Sequence, residues 1–151
     1  MPGGGNHRGS IFRLHVGTAL LAADIWPDSI RASWGGGSTA RREVRELEFP
    51  LEAEVSHHIG EMPFLWVAVD DEPNSRSDRG AIEAGAISLL SNLDRPVVDS
   101  PTGSWLGHRA DRYAVRSSGL WNVDHVRKPP TIDFLATLNS HIEMLVAISR
   151  E

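Results

Sequence analysis

The sequence predicts an α+β protein, predominantly helical, with one apolar strand at about residues 64–69 packed among helices. Three observations carry this expectation. Leu47, Leu51, Val55 and Ile59 recur every four residues, the spacing that gathers apolar side chains on one face of a helix. Phe64 to Val69 is apolar throughout and mostly aromatic or β-branched, the composition of a buried strand. Serines and a threonine stand just ahead of other periodic stretches, where a side-chain oxygen can accept from the free N–H groups of a helix N-terminus.

Taken in order, the first ten residues, MPGGGNHRGS, form a flexible glycine-rich lead-in. Ser10 caps a helix over about Ile11 to Ala23, with Ile11, Leu14 and Leu21 on one face. Residues 24–40, which hold Pro27 and the run Gly35 to Gly37, read as a loop. The next helix carries the four-residue repeat and begins near Phe49, because Pro50 suits a first helical turn and not an interior. Gly60 ends it. The strand follows, closed by Asp70, Asp71 and Glu72. A helix capped near Ser75 or Ser77 then carries Ile82, Ala86, Leu89 and Leu90 as its apolar stripe. Residues 93–130 are loop-rich, with a short helical stretch between Ala110 and Ser117 that ends at Gly119. Thr131 caps a last amphipathic helix to about Ser149. The implied organisation is a lead-in (1–10), one domain (11–128) and a C-terminal helix (131–149).

A chain of 151 residues, 40% hydrophobic and 23% charged, is long enough to bury a core. No apolar run approaches the ~18 residues of a membrane span, so a soluble, cytoplasmic protein is expected. There are no cysteines, which removes thiolate zinc sites and cysteine nucleophiles and leaves oxygen or imidazole ligands, a set that favours magnesium or manganese. The net charge of −5 argues against whole-surface affinity for nucleic acid. The charge is unevenly spread, however: residues 1–45 carry six arginines against three acids, and Arg109, Arg112, Arg116, Arg127 and Lys128 form a second basic group.

Among candidate chemical groups, Glu83 lies one turn into the helix after the strand, flanked by Ala84 and Gly85. A lone carboxylate there suits one divalent cation whose other ligands are water and phosphate. An ion pair with Arg79, four residues earlier, explains it more simply on spacing alone. Glu54, His58 and Glu61 share a helix face, which a solvated surface explains more cheaply than a metal. GGGNHRGS ahead of a helix suits an anion, with Arg8 and Arg13 assisting, but no strand precedes it, so it is neither a dinucleotide fingerprint nor a P-loop. Trp105 and Trp121 bracket arginines, as in single-strand binding surfaces, although tryptophan more often anchors a core. Ser104, His108 and Asp111 lack a nucleophile elbow and make no hydrolase triad. A strand as apolar as Phe64 to Val69 needs ladder partners, and no second strand of that quality is present, so a partner strand or a dimer is expected at its edge.

Read together and in order, GGGNHRGSIFRLHVGTALL, LEAEVSHHIGEMPFLWVAV, RGAIEAGAISLLSN, SWLGHRAD and SGLWNVDHV resemble the C-terminal two-thirds of bacterial proteins of the GIY-YIG nuclease superfamily. The resemblance implies a small antiparallel sheet flanked by helices, and metal-dependent hydrolysis of DNA phosphodiesters. It implies that Glu83 binds Mg2+ or Mn2+ and that Asn122 braces the catalytic site; Arg8 and Arg13 beside the glycine-rich lead-in, and Arg109, Arg112 and Arg116 between the two tryptophans, are the expected contacts to DNA from the residues themselves. No GIY-like or YIG-like strand precedes Gly3, and the one tyrosine, Tyr113, lies far downstream. The expectation is therefore a partial GIY-YIG-like fold lacking the N-terminal hairpin, incomplete or inactive as an endonuclease by itself. The alternative is a non-catalytic nucleic-acid-binding or protein-interaction module. RSSGLWNVDHV, residues 116–126, is expected to be a corner in which Trp121 packs into the core and fixes Asn122 toward the Glu83 helix.

Overall fold

The computed structural model describes residues 5–72, 74, 77–97 and 99–148. Among the described residues six α-helices follow one another: α1 (Ile11–Ala23), α2 (Asp28–Ser33), α3 (Arg42–Gly60), α4 (Asp78–Leu90), α5 (Tyr113–Ser118) and α6 (Phe134–Ile148). Two short 3-10 turns, His7–Gly9 and Leu106–Arg109, accompany them. None of these helices is long and apolar enough to cross a membrane.

The expected strand is not formed, which corrects the fold class: the described residues are helical, with no strand or sheet. Residues 63–70 run without helix, turn or bend, and Phe64, Leu65 and Trp66 are 82%, 100% and 67% exposed. Composition gives a segment strand propensity, but a strand exists only when a neighbour pairs its backbone. No other described segment offers one.

Capping set the helix starts as expected at two places. The Ser10 hydroxyl accepts from the Arg13 N–H, 3.3 Å away, at the head of α1. The Ser77 hydroxyl accepts from the Gly80 N–H at 3.1 Å at the head of α4; Ser75, the other candidate cap, lies outside the described residues. Gly119, at φ +76°, ends α5 in the left-handed conformation that glycine adopts without a Cβ clash.

Three boundaries or faces differ. Helix α1 is rotated from its expected face: Ile11 is exposed, and His15, Val16, Ala19 and Leu21 are buried. The cause is Gly17, against whose bare backbone the Trp34 ring is laid; a Cβ there would stand 2.1 Å from Trp34 Cζ2. Trp34 reaches this place because residues 24–40 are not all loop but include α2. Helix α3 starts at Arg42, not near Phe49, and keeps Pro50 inside. Proline removes one helix hydrogen bond, yet Glu48, Leu51, Glu52 and Val55 are buried immediately around it, and that tertiary burial holds both halves in line. Helix α6 starts at Phe134 instead of directly after Thr131, and its expected end at Ser149 lies outside the described residues.

Two apolar clusters join the helices of the N-terminal half to one another and to α5. Leu21, Ile30 and Leu51 join α1, α2 and α3, with Leu20, Trp26 and Trp34 packed around them. Ala19, Ala110 and Val115 join α1 to α5, with Trp105, Leu106 and Trp121 against them. Helix α6 packs on α4, where Gly85 admits the Phe134 ring; a Cβ there would stand 2.2 Å from Phe134 Cδ1.

Candidate functional site

The most elaborate polar arrangement lies where the lead-in meets α3. The lead-in is anchored from Asn6 onward: the Asn6 side chain accepts from the Arg8 N–H, and His7 is 3% exposed. The His7 ring stacks on Trp34, with centroids 3.8 Å apart. Its Nε2 accepts from the Gly35 N–H at 3.2 Å, so Nδ1 carries the proton and donates to Glu52 Oε1 at 2.8 Å. The His7 backbone N–H donates to the same oxygen at 2.7 Å. Arg13 donates to Glu52 Oε2 at 2.7 Å, to the Glu52 carbonyl at 3.0 Å and to the Ser56 hydroxyl at 2.9 Å. Arg8 forms a two-pronged pair with Glu48, whose side chain is 1% exposed.

Burial alone would raise the Glu48 pKa; the two-pronged hydrogen bonds and the positive charge of Arg8 outweigh it and hold the carboxyl below the ordinary carboxylate range. Arg8 and Arg13, expected as DNA contacts, thus spend their guanidinium groups on internal carboxylates. Sequence reasoning missed Glu48 and Glu52 as buried groups. The available signal was their position: they flank Leu51 and precede Val55 on the inward face of α3.

Glu83 lies in the second turn of α4 and is exposed. The expected pair with Arg79 is not made. Arg79 instead donates to the Val69 carbonyl at 2.8 Å, its guanidinium lies 3.5 Å from the Asp71 carboxylate, and its backbone N–H donates to Asp71 Oδ2 at 3.1 Å. Among the described residues Glu83 has no ion pair or hydrogen bond. A single free carboxylate fits Mg2+ or Mn2+, which keep much of their water shell and take only one or two carboxylates alongside phosphate oxygens. It does not fit an all-protein cage, and no group of three or more histidines or acids that could hold a metal occurs among the described residues.

Trp121 packs as the sequence suggested, edge-on to Phe12 (6.1 Å) and Trp105 (5.5 Å). Asn122 beside it is half-buried, and no hydrogen bond joins it to Glu83. The loop that follows is held by Arg95, whose guanidinium donates to the carbonyls of Ser88, Leu93, Val126 and Lys128. Ser91 adds a 2.8 Å bond to the Val126 carbonyl. Arg109, Arg112 and Arg116 are all exposed. Arg116 donates to the carbonyls of Ala110 and Asp111, Arg112 lies 3.9 Å from the Asp111 carboxylate, and Arg109 is unpaired among the described residues. His108 bonds the Thr102 carbonyl and not Ser104, so no triad forms.

His15 is buried on α1 with neither ring nitrogen hydrogen-bonded, its Nδ1 3.6 Å from Asp111. Burial lowers its pKa below the ordinary 6.5, opposed by the Asp111 charge and reinforced by Arg112. The folded protein therefore holds His15 neutral while the unfolded chain takes up the proton. The sign follows: this contribution to stability is intact above the ordinary histidine range and is lost as pH falls through it. Thermal unfolding between about pH 8 and pH 5 should show a falling midpoint, and His15→Leu should flatten that slope. An unchanged slope would assign the pH dependence to other groups.

An unpaired helix carboxylate and surface arginines are donor types on which metal-assisted phosphodiester chemistry draws. The GIY-YIG domain family matches residues 1–147 of this chain. The chain belongs to that family, a family of nucleases. No curated protein and no solved structure matches it.

Proposed function

We propose that this chain is an endonuclease domain that hydrolyses DNA phosphodiesters with Mg2+ or Mn2+ bound at Glu83. The observation that carries the reading is the free, exposed Glu83 carboxylate on α4 in a chain of a nuclease family. Held at Glu83, the cation would stabilise the charge that develops on the departing sugar oxygen as water attacks phosphorus. The protein's own groups bind and orient: Arg109 and Arg112 meet phosphates from the exposed segment around α5, Arg116 braces that segment through its carbonyl contacts, and Asn122 follows the packed Trp121 in the chain. Arg8 and Arg13 act as scaffold, because their guanidinium groups are already engaged.

The test is nicking of supercoiled plasmid in Mg2+. Glu83→Gln keeps the shape of the side chain and removes its charge, and is expected to abolish magnesium-dependent nicking. Full nicking by that variant would sink the assignment.

A second reading, binding of nucleic acid without cleavage, is favoured by the exposed Arg109 and Arg112, which can meet phosphates with no metal. It predicts DNA affinity that falls steeply with salt, is weakened by Arg109→Ala with Arg112→Ala, and is indifferent to Glu83→Gln.

A further inference from the structure

Independently of the nuclease reading, the segment from Pro63 to Asp70 is built to receive a chain. It runs for eight residues without helix, turn or bend, longer than the five or six residues of a typical strand. From Phe64 to Ala68 no backbone N–H or C=O has a hydrogen-bond partner among the described residues. Arg79 on α4 fastens its far end by bonding the Val69 carbonyl, and Val67 and Val69 are half-buried, so the segment is seated on the protein with Phe64, Leu65 and Trp66 outward. Unpaired backbone in a straight, apolar run is what an added β-strand satisfies.

Charge selects among strands. Exposed acids mark both ends of the run, Glu61 before it, Asp70 as its last residue and Glu72 after it. A second copy of this chain is a poor partner: antiparallel self-pairing centred between Trp66 and Val67 sets Glu61 opposite Glu72, and parallel self-pairing sets each acid beside its own copy. Like charges directly across a ladder are destabilising, and opposite charges stabilise. We propose that residues 63–70 dock, by β-strand addition, an apolar strand of a partner polypeptide whose ends carry basic residues.

The probe is a fluorescein-labelled peptide of alternating valine and threonine with paired lysines at each end, titrated with the intact protein and followed by anisotropy. The same peptide with paired glutamates is the control. The lysine peptide should bind saturably, and the glutamate peptide at least about tenfold more weakly, a difference of about 1.4 kcal/mol. Leu65→Pro, which removes a donor at a fully exposed position, should abolish binding while leaving the helical circular dichroism intact. Glu61→Lys with Glu72→Lys should invert the preference between the two peptides, a readout that a merely sticky surface would not give. Equal binding of both peptides, or no binding of the lysine peptide, overturns the proposal. So does a concentration-dependent dimer in sedimentation that Leu65→Pro dissolves, which would give the surface to a second copy.

Discussion

Replacing Glu48 by alanine is expected to destabilise the protein by about 3–5 kcal/mol, the usual cost of removing one partner from a buried ion pair. The Arg8 side chain is 3% exposed, so loss of the carboxylate leaves a buried guanidinium without its hydrogen-bonded partner, with only the more distant charge of Glu52 to offset it. Against a total stability of about 5–15 kcal/mol, that change by itself brings the folded state near its limit. Changing both residues, Arg8→Met with Glu48→Met, should be much milder, because an apolar pair of similar volume removes the desolvation problem together with the attraction. Urea unfolding of the three variants separates the cases: a double variant as weak as the single one would show that the pair is needed for more than mutual neutralisation. The same pair sets an acid limit. With the Glu48 pKa below the ordinary carboxylate range, its contribution is whole above that range and is lost as pH falls through and below it.

Arg95→Ala is the second large effect expected, at about 1.5–3 kcal/mol for a charged group bonded to carbonyls, with more if the freed carbonyls stay dry. Arg95 donates to the carbonyls of Ser88 and Leu93 on one side and Val126 and Lys128 on the other, and Ser88, Leu93 and Val126 are all buried. It thereby fastens the end of α4 to the loop that begins at Trp121. Arg95→Lys should recover little, because an ammonium group cannot span carbonyls that a planar fork reaches at once. Chemical denaturation of both variants is the check, and a lysine variant of wild-type stability would show that charge alone suffices.

How much of this was legible in the sequence varies with the range of the interaction. Ser10, Ser77 and Gly119 act within one helical turn of where they stand, and all three do what their residue type implies. Pro50 was misleading because its local penalty is outweighed by groups buried around it, and α2 was hidden because Pro27 and three glycines flank six helical residues. The strand failed for the opposite reason. Phe64 to Val69 has every local requirement, but pairing depends on a second segment, and the sequence had already shown that none was present. Glu83 and the surface arginines were visible as residue types. What their neighbours would do was not: Arg79 turned to the loop before α4, leaving Glu83 free, and Arg8 and Arg13 turned to Glu48 and Glu52, pairings that span some forty residues.

If the carboxylate left free on α4 is the divalent-cation ligand proposed above, titration with Mn2+, with bound ions counted by electron paramagnetic resonance and Glu83→Gln in parallel, will show it. One weakly held ion per chain is expected, displaced by Mg2+ and absent from the Glu83→Gln protein. Equal binding by the two proteins, or no ion on either while the chain still nicks DNA in Mg2+, would contradict it.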